Sequence, residues 1–138
     1  MDAGALVAQA DADEPRHAEV AAILKQEREI LVTTELVVAE ADYLVLDRLG
    51  VDVELALISD LTGGVFVVEC LSRDELVIAR GIVERYRDLR IGLADASLCV
   101  IAKRYGTRRI LTFDERAFRA VAPLQGGSFT LLPADRER

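Results

Sequence analysis

Asp2, Glu40, Asp95 and Asp114 are the side chains of this sequence whose type and placement suggest chemistry. Four acids sharing one cleft would repel each other until a cation arrived. Their hard oxygen ligands would suit Mg²⁺ or Mn²⁺, ions that keep several waters while one or two carboxylates hold them. Each acid also has an ordinary reading. Asp2, ahead of Ala3-Gly4-Ala5-Leu6, can cap a first helix or stand as a solvated terminal residue; Asp95 in Leu93-Ala94-Asp95-Ala96 and Asp114 in Leu111-Thr112-Phe113-Asp114 can both be helix caps. Glu40 lies mid-helix, where helical spacing gives it a face with Leu36, Val37, Tyr43 and Leu44. A carboxylate inside an apolar stripe needs a cation or hydrogen bonds to stay ionised. That helix is apolar nearly all round, so periodicity fixes the direction of Glu40 only weakly.

Other reactive groups are few. His17, the sole histidine, falls in a surface helix and is expected to be solvated, which leaves no histidine base. Cys70 and Cys99 lack a metal-ligand partner nearby and are expected to be reduced, buried thiols. Thr112, two residues before Asp114, can hydrogen-bond a ligand or be an ordinary strand residue. Phosphate contacts would fall to Arg87 and Arg90 before Asp95 and to Arg116 and Arg119 after Asp114, each of which can equally be a solvated helix charge.

The elements that would position these groups alternate in type. Helices are expected over 5–10, 16–28, 35–49, 51–61, 74–87, 94–105 and 115–121. Thr33 or Thr34 caps the third and Gly50 ends it. Strands are expected over 30–32, 65–68, 109–112 and 128–132. The run Val65-Phe66-Val67-Val68 reads as a strand buried on both faces. Short apolar strands between amphipathic helices imply an α/β fold, a small mostly parallel sheet flanked by helices in a single domain over 1–138. Ligands in such sheets bind beyond the carboxyl ends of the strands, which is where Asp95 and Asp114 fall.

Composition sets the outer limits. The chain of 138 residues carries 24 acids against 17 bases, a net charge of −7 and the wrong overall sign for a nucleic-acid binder unless the acids gather in a metal pocket. All but two of the bases are arginine. Aromatics are scarce and tryptophan absent, which argues against base-stacking platforms. No apolar run approaches a membrane span and no basic leader opens the chain, so a cytoplasmic protein is expected.

The ordered set of acids resembles the four acidic motifs of the PIN-domain family: Asp2 with Gly4-Ala5-Leu6, Glu40 in Val38-Ala39-Glu40-Ala41, Asp95 in Leu93-Ala94-Asp95-Ala96, and Asp114 after Leu111-Thr112-Phe113. Their order and spacing, with Tyr86-Arg87-Asp88-Leu89 leading into Asp95, are similar to the short VapC-type toxins of type II toxin–antitoxin systems. The likeness spans essentially the whole chain. It implies a metal-dependent endoribonuclease in which Asp2, Glu40, Asp95 and Asp114 bind Mg²⁺ or Mn²⁺. It also implies water attacking in line to leave a 5′-phosphate and 3′-hydroxyl, an RNA substrate, a cognate antitoxin protein and a homodimer. Two features depart from the family. Only Met1 precedes Asp2, where relatives carry an apolar first strand, and Gly4 stands where a polar residue is common. Readings on similar sheets fit less well: Asp2-Ala3-Gly4 lacks the second acid of a haloacid-dehalogenase site, and Lys103 lies in a helix, unlike the late lysine of a receiver domain. A PIN-fold RNA-processing nuclease without antitoxin, or a non-catalytic PIN-like binding module, would share the fold.

Overall fold

The computed structural model describes residues 1–26 and 30–136. Helix α1 (Ala3–Ala10) is followed by α2 (His17–Gln26), β1 (Leu31–Thr34), α3 (Glu35–Leu49) and α4 (Val51–Thr62). Next come β2 (Phe66–Glu69), α5 (Arg73–Arg85), a 3-10 turn (Arg87–Leu89) and α6 (Leu93–Arg104). Then β3 (Arg109–Leu111), α7 (Glu115–Ala120) and β4 (Thr130–Leu132) complete the described chain. The expected end of the second helix, Arg28, lies outside the described residues.

Local chemistry accounts for the element ends. The Thr34 hydroxyl accepts from the Val37 N–H at 3.2 Å and starts α3. Gly50, at φ 90°, occupies backbone space that other residues rarely enter and lets α3 stop and α4 start without a linker. The strands have side chains that prefer a pleated surface, but each is only three or four residues long.

Every strand pairing is parallel, as the βα alternation implies. β1 pairs with β2, Leu31 opposite Phe66, and β3 pairs with β4, Arg109 opposite Thr130. Residues 1 and 2 lie between these two ladders. The Met1 nitrogen donates to the Val32 carbonyl at 3.2 Å, the Thr33 hydroxyl donates to the Met1 carbonyl at 3.0 Å, and the Asp2 N–H donates to the Leu111 carbonyl at 3.0 Å. The chain start thus acts as a two-residue strand joining β1 to β3. Behind Met1 the seam widens into an apolar groove of about 450 Å³, lined by Leu31, Val32, Ile110, Leu111 and Leu98 among others.

One core runs under both ladders. Leu6, Val20, Val37, Val45, Leu57, Phe118 and Leu131 are fully or almost fully buried, and Phe118 meets Phe129 edge-on at 6.0 Å. Complete burial of a Leu- or Val-sized side chain stabilises by about 1.5–3 kcal/mol. Two expectations fail at the edge of the sheet. The 65–68 run is not covered on both faces: Val65 is 61% exposed and Val68 37% exposed. β2 has a partner, β1, on one side and lies at the rim, and a β-branched run reads the same at a rim as at a centre. Cys70, just past β2, is exposed for the same reason, whereas Cys99 on α6 is buried as expected. No helix among the described residues is long and apolar enough to cross a membrane.

Candidate active site

The carboxyl ends of β1 and β3, together with the chain start between them, present hydroxyls and acids to one cleft. Asp2 is 5% exposed and caps α1, its Oδ1 accepting from the Ala5 N–H at 3.0 Å. Its Oδ2 accepts from the Thr112 hydroxyl. The same Thr112 oxygen accepts the Asp114 N–H at 2.9 Å, and Asp114 caps α7 by accepting from Ala117 N–H at 3.1 Å. One buried hydroxyl therefore positions two acids. Both are also caps, so the structural and the chemical readings of Asp2 and Asp114 hold at once.

Asp95 is not a cap. α6 begins at Leu93 with Gly92 as its N-cap, and no side chain caps it. The Asp95 carboxyl accepts no hydrogen bond among the described residues. Burial pushes it up to about 7, and the charges of Asp2, Asp114 and Glu40 push the same way. Asp2, Asp114 and Glu40 are thus near enough for their charges to act on Asp95. Burial also raises Asp2, against the pull of its bonds from Thr112 and Ala5. Glu40 is exposed, and the buried face of α3 is Val37, Ala41 and Val45. Tyr43, expected beside Glu40 in an apolar stripe, is 69% exposed. Glu40 therefore needs no cation for its own solvation, and its charge acts on Asp95.

A second hydroxyl pair sets the helices that carry Glu40 and Asp95. Thr34 and Ser97, both fully buried, stand 2.7 Å apart, and the Ser97 hydroxyl donates to the Ala94 carbonyl at 2.5 Å. This bridge joins the first turn of α3 to the first turns of α6. Neither it nor the Thr112 fork is prominent in the sequence. The signal for Thr112 is its spacing, since a hydroxyl two residues before Asp forms a local turn with the backbone.

The donor set suits a hard divalent cation. It is all oxygen, carries excess negative charge, and includes an Asp95 carboxyl raised by burial and by the charges of three other acids. Among the described residues no three acids, cysteines or histidines stand close enough to form a ready-made cage. Mg²⁺ does not require one, because it commonly binds through one or two carboxylates and keeps its waters.

Other candidates are spoken for. Arg119 grips Asp135 at 2.6 and 2.8 Å and reaches Glu115 at 3.2 Å, and Arg116 donates to the Leu89 carbonyl at 3.3 Å. Those two arginines serve the fold. Arg87 and Arg90 are exposed on the approach to α6. His17 is not solvated as expected: it is half-buried, with Nδ1 2.8 Å from the Ala8 carbonyl near the end of α1. Burial pushes the Cys99 thiol up to about 12, so it is no nucleophile at neutral pH.

The raised Asp95 has a consequence for stability. Its carboxyl ionises near 4 in an unfolded chain, so between about pH 4 and pH 7 the folded state binds more protons. The stabilisation is full below pH 4 and is lost as pH rises through 7. Thermal melts of metal-free protein should show a fall on the order of 1–2 kcal/mol across that interval, moderated because the carboxyl is partly solvated. A melting temperature that rose from pH 5 to pH 7.5 would contradict this.

The PIN-domain family model matches residues 1–124. Ribonuclease VapC26 of Mycobacterium tuberculosis (strain ATCC 25618 / H37Rv) is 47% identical over 133 residues, 96% of this chain and 98% of the relative. This chain is a PIN-domain protein of the VapC ribonuclease family. The crystal structure of VapC20 of Mycobacterium tuberculosis, titled a Sarcin–Ricin loop cleaving toxin, superposes with a TM-score of 0.73 over 78% of this chain and 83% of that one. At 18% identity that likeness bears on the fold alone. The PIN resemblance seen in the four acidic motifs, the α/β fold and the VapC ribonuclease function agree with these relationships. VapC proteins are enzymes, so the binding-module alternative falls away.

Proposed function

We propose that this VapC ribonuclease cleaves RNA endonucleolytically at a Mg²⁺ or Mn²⁺ site formed by Asp2, Glu40, Asp95 and Asp114, and that a cognate antitoxin protein blocks it. The observation that carries this reading is the buried Thr112 hydroxyl that holds Asp2 and Asp114 together, beside an Asp95 carboxyl that burial and the charges of Asp2, Asp114 and Glu40 push up to about 7. A bound divalent ion supplies Lewis acidity, polarising a phosphoryl oxygen and making water a competent nucleophile at neutral pH. The protein's own part is placement. Thr112 fixes Asp2 and Asp114 relative to each other, and the Thr34–Ser97 bridge fixes the helices bearing Glu40 and Asp95. Water is the attacking group that the resemblance to PIN-domain nucleases implies, and Cys99, held protonated, and His17, engaged at Ala8, offer no competing nucleophile. Attack in line leaves a 5′-phosphate and a 3′-hydroxyl.

Unpaired carboxylates also attract a guanidinium by charge and bidentate geometry, which suits inhibition by an arginine of the antitoxin. Exposed Val51, Leu55 and Ile58, at helical spacing on one face of α4, make an apolar stripe suited to a homodimer. The decisive assay incubates purified protein with total RNA, and with an oligonucleotide of the sarcin–ricin loop, in Mg²⁺, Mn²⁺ or EDTA. Cleavage should require either ion, yield 5′-phosphorylated ends and cease with antitoxin present. Undiminished cleavage in EDTA would overturn the metal site.

A further inference from the structure

We propose that Arg16, in the turn between α1 and α2, is an RNA-backbone contact at the rim of the carboxylate site, an assignment that rests on the ribonuclease reading above. The fold carries its guanidinium across to the other end of the sequence and sets Cζ 3.7 Å from the centre of the Phe113 ring. Phe113 is the residue between Thr112, whose hydroxyl holds Asp2, and Asp114. The stack therefore anchors a permanent positive charge on the segment that supplies Asp114 and, through Thr112, holds Asp2.

The chemistry of a stacked guanidinium matches a phosphate. The ring covers one face of the planar group and leaves its in-plane N–H edge for a bidentate acceptor. Its ion-pair partner among the described residues, Glu19, stands at 3.5 Å with both side chains about half exposed (45% and 53%), a pairing that contributes little and that a phosphate can displace. The protein as a whole is acidic, with a net charge of −7, so a polyanion approaches against the general field and needs local cations near the cleft. Arg116 and Arg119, closer to the site in sequence, are committed to Leu89, Asp135 and Glu115. Arg16 offers the charge that they do not.

The test separates a phosphate contact from a clasp that merely fastens the α1–α2 turn. For a single-stranded RNA oligonucleotide carrying a mapped cleavage site, Arg16→Ala should raise KM about tenfold and change kcat less than twofold. The plot of log KM against log salt should become shallower by about 0.7, the share of one phosphate on a single strand. Arg16→Lys should keep the salt dependence, because the charge remains, and weaken KM only two- to threefold through loss of the planar fork. Binding of the same oligonucleotide, fluorescently labelled, to Asp95→Asn protein is the second measurement, and adding Arg16→Ala should weaken it by a similar factor. That arm needs no turnover, so it reports on Arg16 even if the parent protein fails to cleave, an outcome that would count against the ribonuclease reading instead. Unchanged KM, salt dependence and binding in Arg16→Ala would overturn the proposal, and so would a loss confined to kcat or to thermal stability.

Discussion

Asp95→Asn is expected to end RNA cleavage and to leave the metal-free protein more stable than its parent. Asp95 sits in the first turn of α6 but does not cap it, and its carboxyl accepts no hydrogen bond among the described residues. The amide therefore gives up no fold contact. At neutral pH it also removes a charge that burial and three neighbouring acids oppose, the same opposition that holds the carboxyl up to about 7. The gain should be about 1 kcal/mol at pH 7.5, a few degrees in Tm for a chain of this size, and should shrink towards pH 4 as the parent carboxyl protonates. Activity moves the other way. An amide is a neutral and poorer ligand for a hard cation, so cleavage in Mg²⁺ should fall by at least about 100-fold. The pair of measurements is needed, since unchanged activity would remove Asp95 from the site, and lost activity with a lower Tm would make it a structural residue.

Thr112→Val should lower both activity and stability. The side chain is 1% exposed, and valine nearly matches its shape while lacking the hydroxyl. Asp2 Oδ2 loses its donor and the Asp114 N–H loses its acceptor in one substitution. A buried polar group left unpaired costs about 1–3 kcal/mol, so the two together should cost roughly 2–4 kcal/mol and depress Tm by about 10 °C. Releasing two acids from their shared anchor should reduce cleavage 10- to 100-fold, the usual cost of losing a residue that orients ligands. Thr112→Ser supplies the control. It restores the hydroxyl, so activity should return to within a fewfold of the parent even if the lost methyl keeps Tm somewhat low. A serine variant as inactive as valine would show that the hydroxyl alone does not suffice and that the methyl is needed as well.

The acids were legible because carboxylates at strand–helix junctions are scarce enough to be noticed, and because their order along the chain is itself a pattern. Their surroundings were less so. Asp95 looked like a cap because acids near helix starts usually are, and only the backbone shows Gly92 in that position. Glu40 was harder, since α3 is apolar on most faces and a single charge on such a helix does not say which face is buried. The described helix ends lie within two residues of the expected ones, and α3, where Thr34 and Gly50 announce a start and a stop, matches at both ends. The strands were harder to place in the sheet, because three or four β-prone residues form a strand at a rim or at a centre alike, and β2 proved to be the former. The hydroxyl contacts of Thr112, Thr34 and Ser97 lie in no local pattern. They depend on chain segments as many as 110 positions apart, which no window along the sequence brings together.

The seam filled by Met1 and Asp2 bears on how the protein is produced. An affinity tag fused ahead of Met1 would emerge into the apolar groove between Leu31–Val32 and Ile110–Leu111, one residue from an acid of the site. A histidine run or a Gly/Ser leader would bring polar or flexible backbone into a space shaped for a pleated apolar chain, and would pull on Asp2 through a single peptide unit. An inactive N-terminally tagged preparation would then report on the leader rather than on the enzyme. Valine- or isoleucine-rich junction residues offer a remedy, since they can continue both ladders into the groove before the tag begins.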